Sequence, residues 1–485
     1  MQDLKNKHVL VVGLGASGCS ACRLLIGSGA KVTAADAADT EALRAEAEEL
    51  RELGVEVRLG RNKRVEGAFH LAVTSPGVPS DSPLLTDLPE SIKVISELEL
   101  GYQHAVCLSV AITGTNGKTT VTELVNRILS DADRKTVAAG NIGTPLCDVV
   151  DQSRDLDLIA LEVSSFQLER IQFFRPSVAV LLNLSPDHLD RYADMEEYAR
   201  TKGRIFENQQ NFDWAIVQSE AMARLLALGV EAPSKIVTFS AANRRADIYQ
   251  DRGLLISRIP DWSGPLLNMA ECRLAGLHNM ENVMAALAVG RVLRIPLEQM
   301  RETILRFEPA AHRFEQIAER GGVRFINDSK STNPDSLEKA LNSAPTANGE
   351  PNVLLIAGGE DKRLEYYSLG PTLAGRVRKA FLLGETREKL RASWSLFTSC
   401  ELVESVPAAV ECAVAEAGPG DVVLLSPGCS SFDQFENYRQ RGDVFRQKVM
   451  DCLDRIATDG ASDAGAEDSD PVENRPASAE TVARG

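Results

Sequence analysis

At 485 residues, with 44% apolar and 25% charged side chains, the chain has a globular composition and the length for roughly two to four domains. Its formal charge of −16 excludes a general nucleic-acid binder. The polar opening MQDLKNKH precedes an apolar run too short for a signal peptide or membrane span, so a cytoplasmic protein is expected.

The first apolar strand, HVLVVG, runs into Gly13-x-Gly15-x-x-Gly18, and Asp36 closes the next one, KVTAAD. This spacing fits a dinucleotide fingerprint. Glycines allow a tight turn, and a helix N-terminus offers free N–H groups to a pyrophosphate. Taken alone, it suggests a dehydrogenase. VEVRLG, HLAVTSPG and IKVIS continue a small parallel α/β unit. Cys19-x-x-Cys22 falls in the helix after the glycine loop. With no second pair among nine scattered cysteines, reduced structural thiols are expected rather than zinc.

A second run of strands and helices starts at VCLSVAITGTNGKTT and ends in a helix over 279–293. Gly114, Gly117, Lys118 and Thr119 resemble a phosphate loop. Its backbone N–H groups would cradle phosphates, Lys118 would reach the β and γ oxygens, and the Thr119 hydroxyl would hold Mg²⁺. The usual spacing places glycine at position 112, where this chain has Ile112. A dehydrogenase has no use for such a loop. Glu162, ending the strand DLIALE, is placed to reach a metal beside it.

His188 follows the strand VAVLLN, at the strand end where ligands of open α/β sheets collect, although a lone histidine is often structural. Met195, Tyr198, Lys202, Ile205 and Phe206 share one helical face, which puts Lys202 among apolar neighbours. Such a lysine either snorkels to water or, deprotonated, takes up CO₂ as a carbamate able to hold a metal. The pattern leaves both open.

A third α/β unit carries HRFE, NDSKSTN, GGEDK and SPGCSSFDQFENYRQRG at a domain junction or at strand ends, a composition suited to anionic groups. Residues 457–485 hold seven acids against two arginines and almost no large apolar side chain, so a disordered acidic tail is expected.

TGTNGKTT, GNIG, LEVSSFQL, DHLDRY, YARTKGRIFEN, GLHNMENVMAAL, HRFE and NDSKSTN occur in the order of the Mur ligase family, the ATP-dependent amino-acid ligases of bacterial cell-wall synthesis, which the chain resembles over about residues 5–455. That family's phosphate loop has the shortened spacing seen here. GLGASG, NDSKSTN and SPGCSSFDQFENYRQRG are similar to its D-glutamate-adding branch, and the Asp-Asn-Pro-Arg motif of its diaminopimelate-adding branch is absent. A folylpolyglutamate synthase would share the central domain but lack the first domain and NDSKSTN.

The resemblance implies a Rossmann-like domain over 1–96 for a UDP-substrate, a central ATPase domain with a mostly parallel sheet over 97–309, and a Rossmann-like domain over 310–456. It implies that the glycine loop, with Gly15, Ala16, Ser17 and Asp36, receives UDP-N-acetylmuramoyl-L-alanine and no nicotinamide. ATP would lie on Gly114, Thr115, Asn116, Gly117, Lys118, Thr119 and Thr120, with Asn279, Asn282, Arg313 and Asp328 across the hinge. Thr119, Glu162, His188 and a carbamylated Lys202 would hold two Mg²⁺ ions. Asn141 and His188 would position the muramoyl-alanine end, and Lys330 would help neutralise the transferring phosphate. Thr332, Lys362, Ser431 and Tyr438 would grip D-glutamate. A monomer is expected, without nucleic-acid or membrane partners, whose third domain rotates on ATP binding.

Overall fold

The computed structural model describes residues 4–463 apart from Ala275, 309–310 and 347–348. It contains three α/β sheets in succession. The first holds five parallel strands in the spatial order Glu56–Arg58, Lys31–Ala35, His8–Val12, Leu71–Thr74 and Lys93–Ser96. The order reverses at His8–Val12, and the glycine loop leaves from that strand's C-terminal end, the switch point where open α/β sheets bind ligands.

The second sheet has nine strands. Leu108–Thr113, which feeds the phosphate loop, lies between Leu158–Glu162 and Val178–Leu181, all parallel. The Gly114 loop, Glu162 and the loop carrying His188 therefore emerge side by side at one sheet edge. Both faces of this sheet are covered by apolar cores. The helix Leu277–Val292 is buried without interruption from Asn282 to Gly290, which explains its Ala-rich, weakly amphipathic sequence. Three short strands, Ile248–Asp251, Leu254–Ser257 and Gly264–Asn268, extend the sheet through two antiparallel pairings. Sequence analysis did not mark them, because each is only four or five residues long.

The third sheet places Val422–Leu425 between Val323–Asn327 and Val353–Gly358, in parallel, with Glu315–Arg320 as an antiparallel edge. The loops 328–333, 359–362 and 426–431 thus also emerge together. The last helix runs Tyr438–Asp463, so the stretch assigned from 457 to the acidic tail begins as helix. The remainder of that tail lies outside the described residues. Among the described residues, no helix is long and apolar enough to cross a membrane.

Candidate active site

The phosphate loop turns on two glycines. Gly117 caps the helix Lys118–Asp131 with φ +86°, and a Cβ there would come within 2.3 Å of Asn282 Oδ1. Only glycine satisfies both demands. Asn183 braces the same loop. Its Oδ1 accepts from Asn116 N at 2.8 Å, and its Nδ2 donates to Asn116 O at 3.0 Å.

Around the loop lies a cavity of about 350 Å³ lined by both the second and third domains. Lys118 Nζ donates to the carbonyls of Gly114 and Thr115, at 3.0 and 2.9 Å. Lys202 Nζ donates to the same Gly114 carbonyl at 2.9 Å and stands 4.8 Å over the Tyr198 ring. Two ammonium groups on one carbonyl oxygen cannot be more than about 6 Å apart. At an effective dielectric near 20 their repulsion is on the order of 3 kcal/mol, which disfavours charging both. Burial adds to this. It lowers Lys118, and together with Lys118 it holds Lys202 well below the ordinary lysine range. Lys202 is therefore buried with its proton affinity lowered and does not snorkel to water.

Glu162 Oε2 accepts from the Thr119 hydroxyl at 2.6 Å, and its Oε1 accepts from Asn141 Nδ2 at 2.8 Å. Burial works to raise this carboxyl, but Lys118 and the two hydrogen bonds outweigh it, and Glu162 stays ionised below its usual value. Asp187 likewise falls to about 2. Burial opposes ionisation there, while Lys362 and His188 favour it. Lys362 comes from the third domain and donates to Asp187 Oδ1 at 3.2 Å. Asn333, also third-domain, donates to Asp187 Oδ2 at 3.2 Å and to Asn116 Oδ1 at 3.3 Å. These bonds join the two halves of the site.

The opposite wall holds Lys330, whose ammonium stands 4.0 Å over the Tyr438 ring and is lowered to about 7 by burial and by Arg313. Asp328 is raised to about 7 by burial, although its oxygens accept from Phe314 N at 3.0 Å and Ser426 Oγ at 2.9 Å. The cavity is thus rich in amines whose protonation is opposed by burial and by one another. Among the described residues, no three His, Cys, Asp or Glu side chains group to hold a metal unaided. A carboxylate and a hydroxyl side by side fit Mg²⁺, which takes its remaining oxygens from phosphates and water.

Comparison with known proteins agrees with this geometry. Residues 7–96 match the Mur ligase MurD-like N-terminal domain, 112–290 the Mur ligase middle domain, and 312–429 the Mur ligase glutamate ligase domain. A UDP-N-acetylmuramoylalanine–D-glutamate ligase from Acidobacterium capsulatum is 41% identical over 92% of this chain and 97% of its own. The protein of that name from Pelotomaculum thermopropionicum is 39% identical over 93% and 99%. The chain belongs to the Mur ligase family. Its fold is shared by UDP-N-acetylmuramate–alanine ligase from Thermotoga maritima, with a TM-score of 0.59 at 17% identity over 92% of this chain and 100% of that one. It is also shared by MurF from Acinetobacter baumannii, with 0.58 at 16% over 90% and 93%. As a Mur ligase the enzyme uses ATP and Mg²⁺.

Seen as a Mur ligase, the chain brings most of its expected site residues to this cavity. Thr115 through Thr120, Asn141, Glu162, His188, Lys202, Asn279, Asn282, Arg313, Asp328, Lys330, Thr332 and Lys362 all line it. Gly114 contributes the carbonyl shared by the two lysines. Ser431 and Tyr438 stand one layer back. Ser431 is buried with its carbonyl accepting from Phe435 N, and Tyr438 lies under Lys330.

The glycine loop belongs to the first domain. Gly15 caps the helix Ala16–Gly27, which Ala16 and Ser17 open. A Cβ on Gly18 would come 1.8 Å from the Gly13 carbonyl, so this position admits only glycine. Asp36 braces the loop, its oxygens accepting from Leu14 N at 2.7 Å and Ala38 N at 2.8 Å.

Sequence analysis missed Asp187, Asn183, Asn333, Phe166 and Arg191. Asp187 and Arg191 sit inside the DHLDRY motif, so their positions were in view, but spacing does not reveal what they touch. Arg191 pairs with Glu169 through both oxygens, at 2.9 and 2.7 Å. It also donates to the Val78 carbonyl of the first domain at 3.1 Å. Its guanidinium covers the Phe166 ring at 4.2 Å, and that ring meets His188 at 4.7 Å. The first domain is thereby held in register with the cavity.

His188 is lowered from 6.5 to about 4, by burial first, with Asp187 opposing. The unfolded chain therefore takes up the proton before the folded one, and His188 costs stability as pH falls from about 6.5 to 4. His188→Asn keeps a residue that tolerates the observed φ of +55°. The gap in thermal midpoint between wild type and variant is expected to narrow between pH 7 and pH 5. A pH-independent gap would contradict the half-buried neutral imidazole.

Proposed function

We propose that this enzyme joins D-glutamate to UDP-N-acetylmuramoyl-L-alanine at the expense of ATP, giving ADP and phosphate, as a step in peptidoglycan precursor synthesis. The observation that carries the reading is the convergence of Lys118, Lys202, Lys330 and Lys362, from two domains, on one cavity. The alanyl carboxylate must attack the γ-phosphorus of ATP, an encounter of two anions that needs cations on every side. A carboxylate oxygen forms the new bond to phosphorus, the bond to the bridging oxygen breaks, and ADP departs. The D-glutamate amine then attacks the acyl-phosphate carbon, expels phosphate and loses a proton as the amide forms.

Lys118 reaches the β and γ oxygens once it leaves the carbonyls of its own loop, and Lys330 faces the transferring phosphate. Asn141 and His188 orient the muramoyl-alanine end. Lys362 exchanges the Asp187 carboxylate for a carboxylate of D-glutamate, beside Thr332, with Ser431 and Tyr438 supporting the loops behind. Asn279, Asn282, Arg313 and Asp328 hold the nucleotide between domains. Thr119 and Glu162 would hold one Mg²⁺, and Glu162, His188 and Lys202 a second. Bound there, the ions neutralise phosphate and carboxylate charge. For Lys202 to be a ligand its neutral amine adds CO₂ and releases a proton, turning a neutral group into an anion. In the first domain, the Ala16 helix N-terminus receives the pyrophosphate, and Arg191 keeps that domain aligned with the cavity.

Phosphate release from Mg-ATP and UDP-N-acetylmuramoyl-L-alanine, with D-glutamate, L-glutamate, L-alanine and diaminopimelate offered separately, tests this reading. Release with D-glutamate alone is expected. Release with another amino acid would overturn the assignment of the third domain. Lys202→Ala is expected to lose at least about a hundred-fold in rate, with partial recovery on adding acetate or formate, which return an anion to the vacated space. Full activity in the variant would remove the carbamate.

A further inference from the structure

The SPGCSSFDQFENYRQRG segment contains a residue to which the site assigns no part. Arg441 lies in the first turn of the helix Tyr438–Asp463 and is 1% exposed. Its guanidinium makes five hydrogen bonds, none to a carboxylate. Nε donates to Ser329 Oγ at 3.1 Å, and Nη2 donates to Ser329 O at 2.8 Å and Cys429 O at 3.2 Å. Nη1 donates to Cys429 O at 3.2 Å and Ser430 O at 3.1 Å. The Ser430 carbonyl also accepts from Glu360 N at 3.1 Å, and a Cβ on Gly359 would come within 3.2 Å of Nη1. One planar fork thus sits where three loops meet. Each loop follows one of three adjacent parallel strands. The first carries Asp328, Lys330 and Thr332, the second Lys362, and the third Ser431.

We infer that Arg441 is a positioning residue that locks these three loops into one rigid half of the active site, so that the grip on the amino acid depends on a side chain that never touches it. A buried charge without a carboxylate partner is costly, and an apolar side chain of similar volume would fill the space at lower cost. What the arginine adds is a fixed array of donors matched to several carbonyls at once, which a lysine cannot copy. Burial lowers it only to about 10, so it remains charged at neutral pH. The inference rests on the reading of the third domain under Proposed function.

The test uses the full-length enzyme as Arg441→Lys and Arg441→Met, with KM measured for each substrate beside the thermal midpoint. Loss of a charged hydrogen bond corresponds to about ten-fold or more. The D-glutamate KM is expected to rise by at least that factor, more in Arg441→Met than in Arg441→Lys. The KM for the UDP-substrate, which the first two domains hold, is expected to stay within about two-fold. An unchanged D-glutamate KM in a folded variant overturns the inference, as does an equal rise for both substrates. If both variants fail to fold, Ser329→Ala removes one acceptor and leaves the arginine. A several-fold rise in the D-glutamate KM then supports the role, and an unchanged value overturns it. The wild-type rate with D-glutamate is the control. Its absence overturns the functional reading, whereas variants with unchanged KM beside an active wild type overturn only the role of Arg441.

Discussion

The site is organised around one electrostatic problem: amines crowded into a space without enough carboxylates to balance them. Lys118 and Lys202 share a single carbonyl oxygen, and Lys330 rests on an aromatic ring. Glu162 and Asp187 remain ionised, while Asp328 is shifted toward its neutral form. Such a cavity is poised for polyanions. Phosphate oxygens entering it would supply the charge that the protein withholds, and would do so where low polarity makes each contact count.

Topology explains how residues far apart in the chain reach this point. In the second sheet, the strands ending in the phosphate loop, in Glu162 and before His188 are immediate neighbours. In the third, three adjacent strands deliver the loops of Lys330, Lys362 and Ser431. Each domain supplies one half of the site from the C-terminal ends of its strands, and Asp187 with Lys362 and Asn333 joins the halves. The first domain is tied in by apolar packing, with Cys147 of the second domain in its core, by the Arg23–Asp148 ion pair at 3.5 Å, and by the paired and stacked Arg191.

Most of this was legible in the sequence wherever backbone conformation or burial dictates residue type. Gly117 and Gly18 stand where a Cβ has no room, and Lys202 falls on an apolar helical face. What could not be read were pairings across domains. Nothing in the spacing of DHLDRY says that Asp187 meets Lys362, 175 residues on, or that Arg191 reaches the Val78 carbonyl. Arg441 was hidden in the same way, since an arginine in a polar helical segment ordinarily faces water. The antiparallel strands of the second sheet went unseen because each is only four or five residues long, too short for a clear alternation.

The protons bound by the cavity test this account most directly. Mg-ATP alone is titrated into the enzyme by calorimetry at pH 8, in CO₂-free buffers of differing ionisation enthalpy. Phosphates arriving beside Lys118, Lys202 and Lys330 should raise their proton affinity, so the account predicts net proton uptake on binding, reduced in Lys330→Met. Binding with no proton exchange, or with net release, would mean that these amines are already charged, and would contradict the crowded, under-protonated cavity described above.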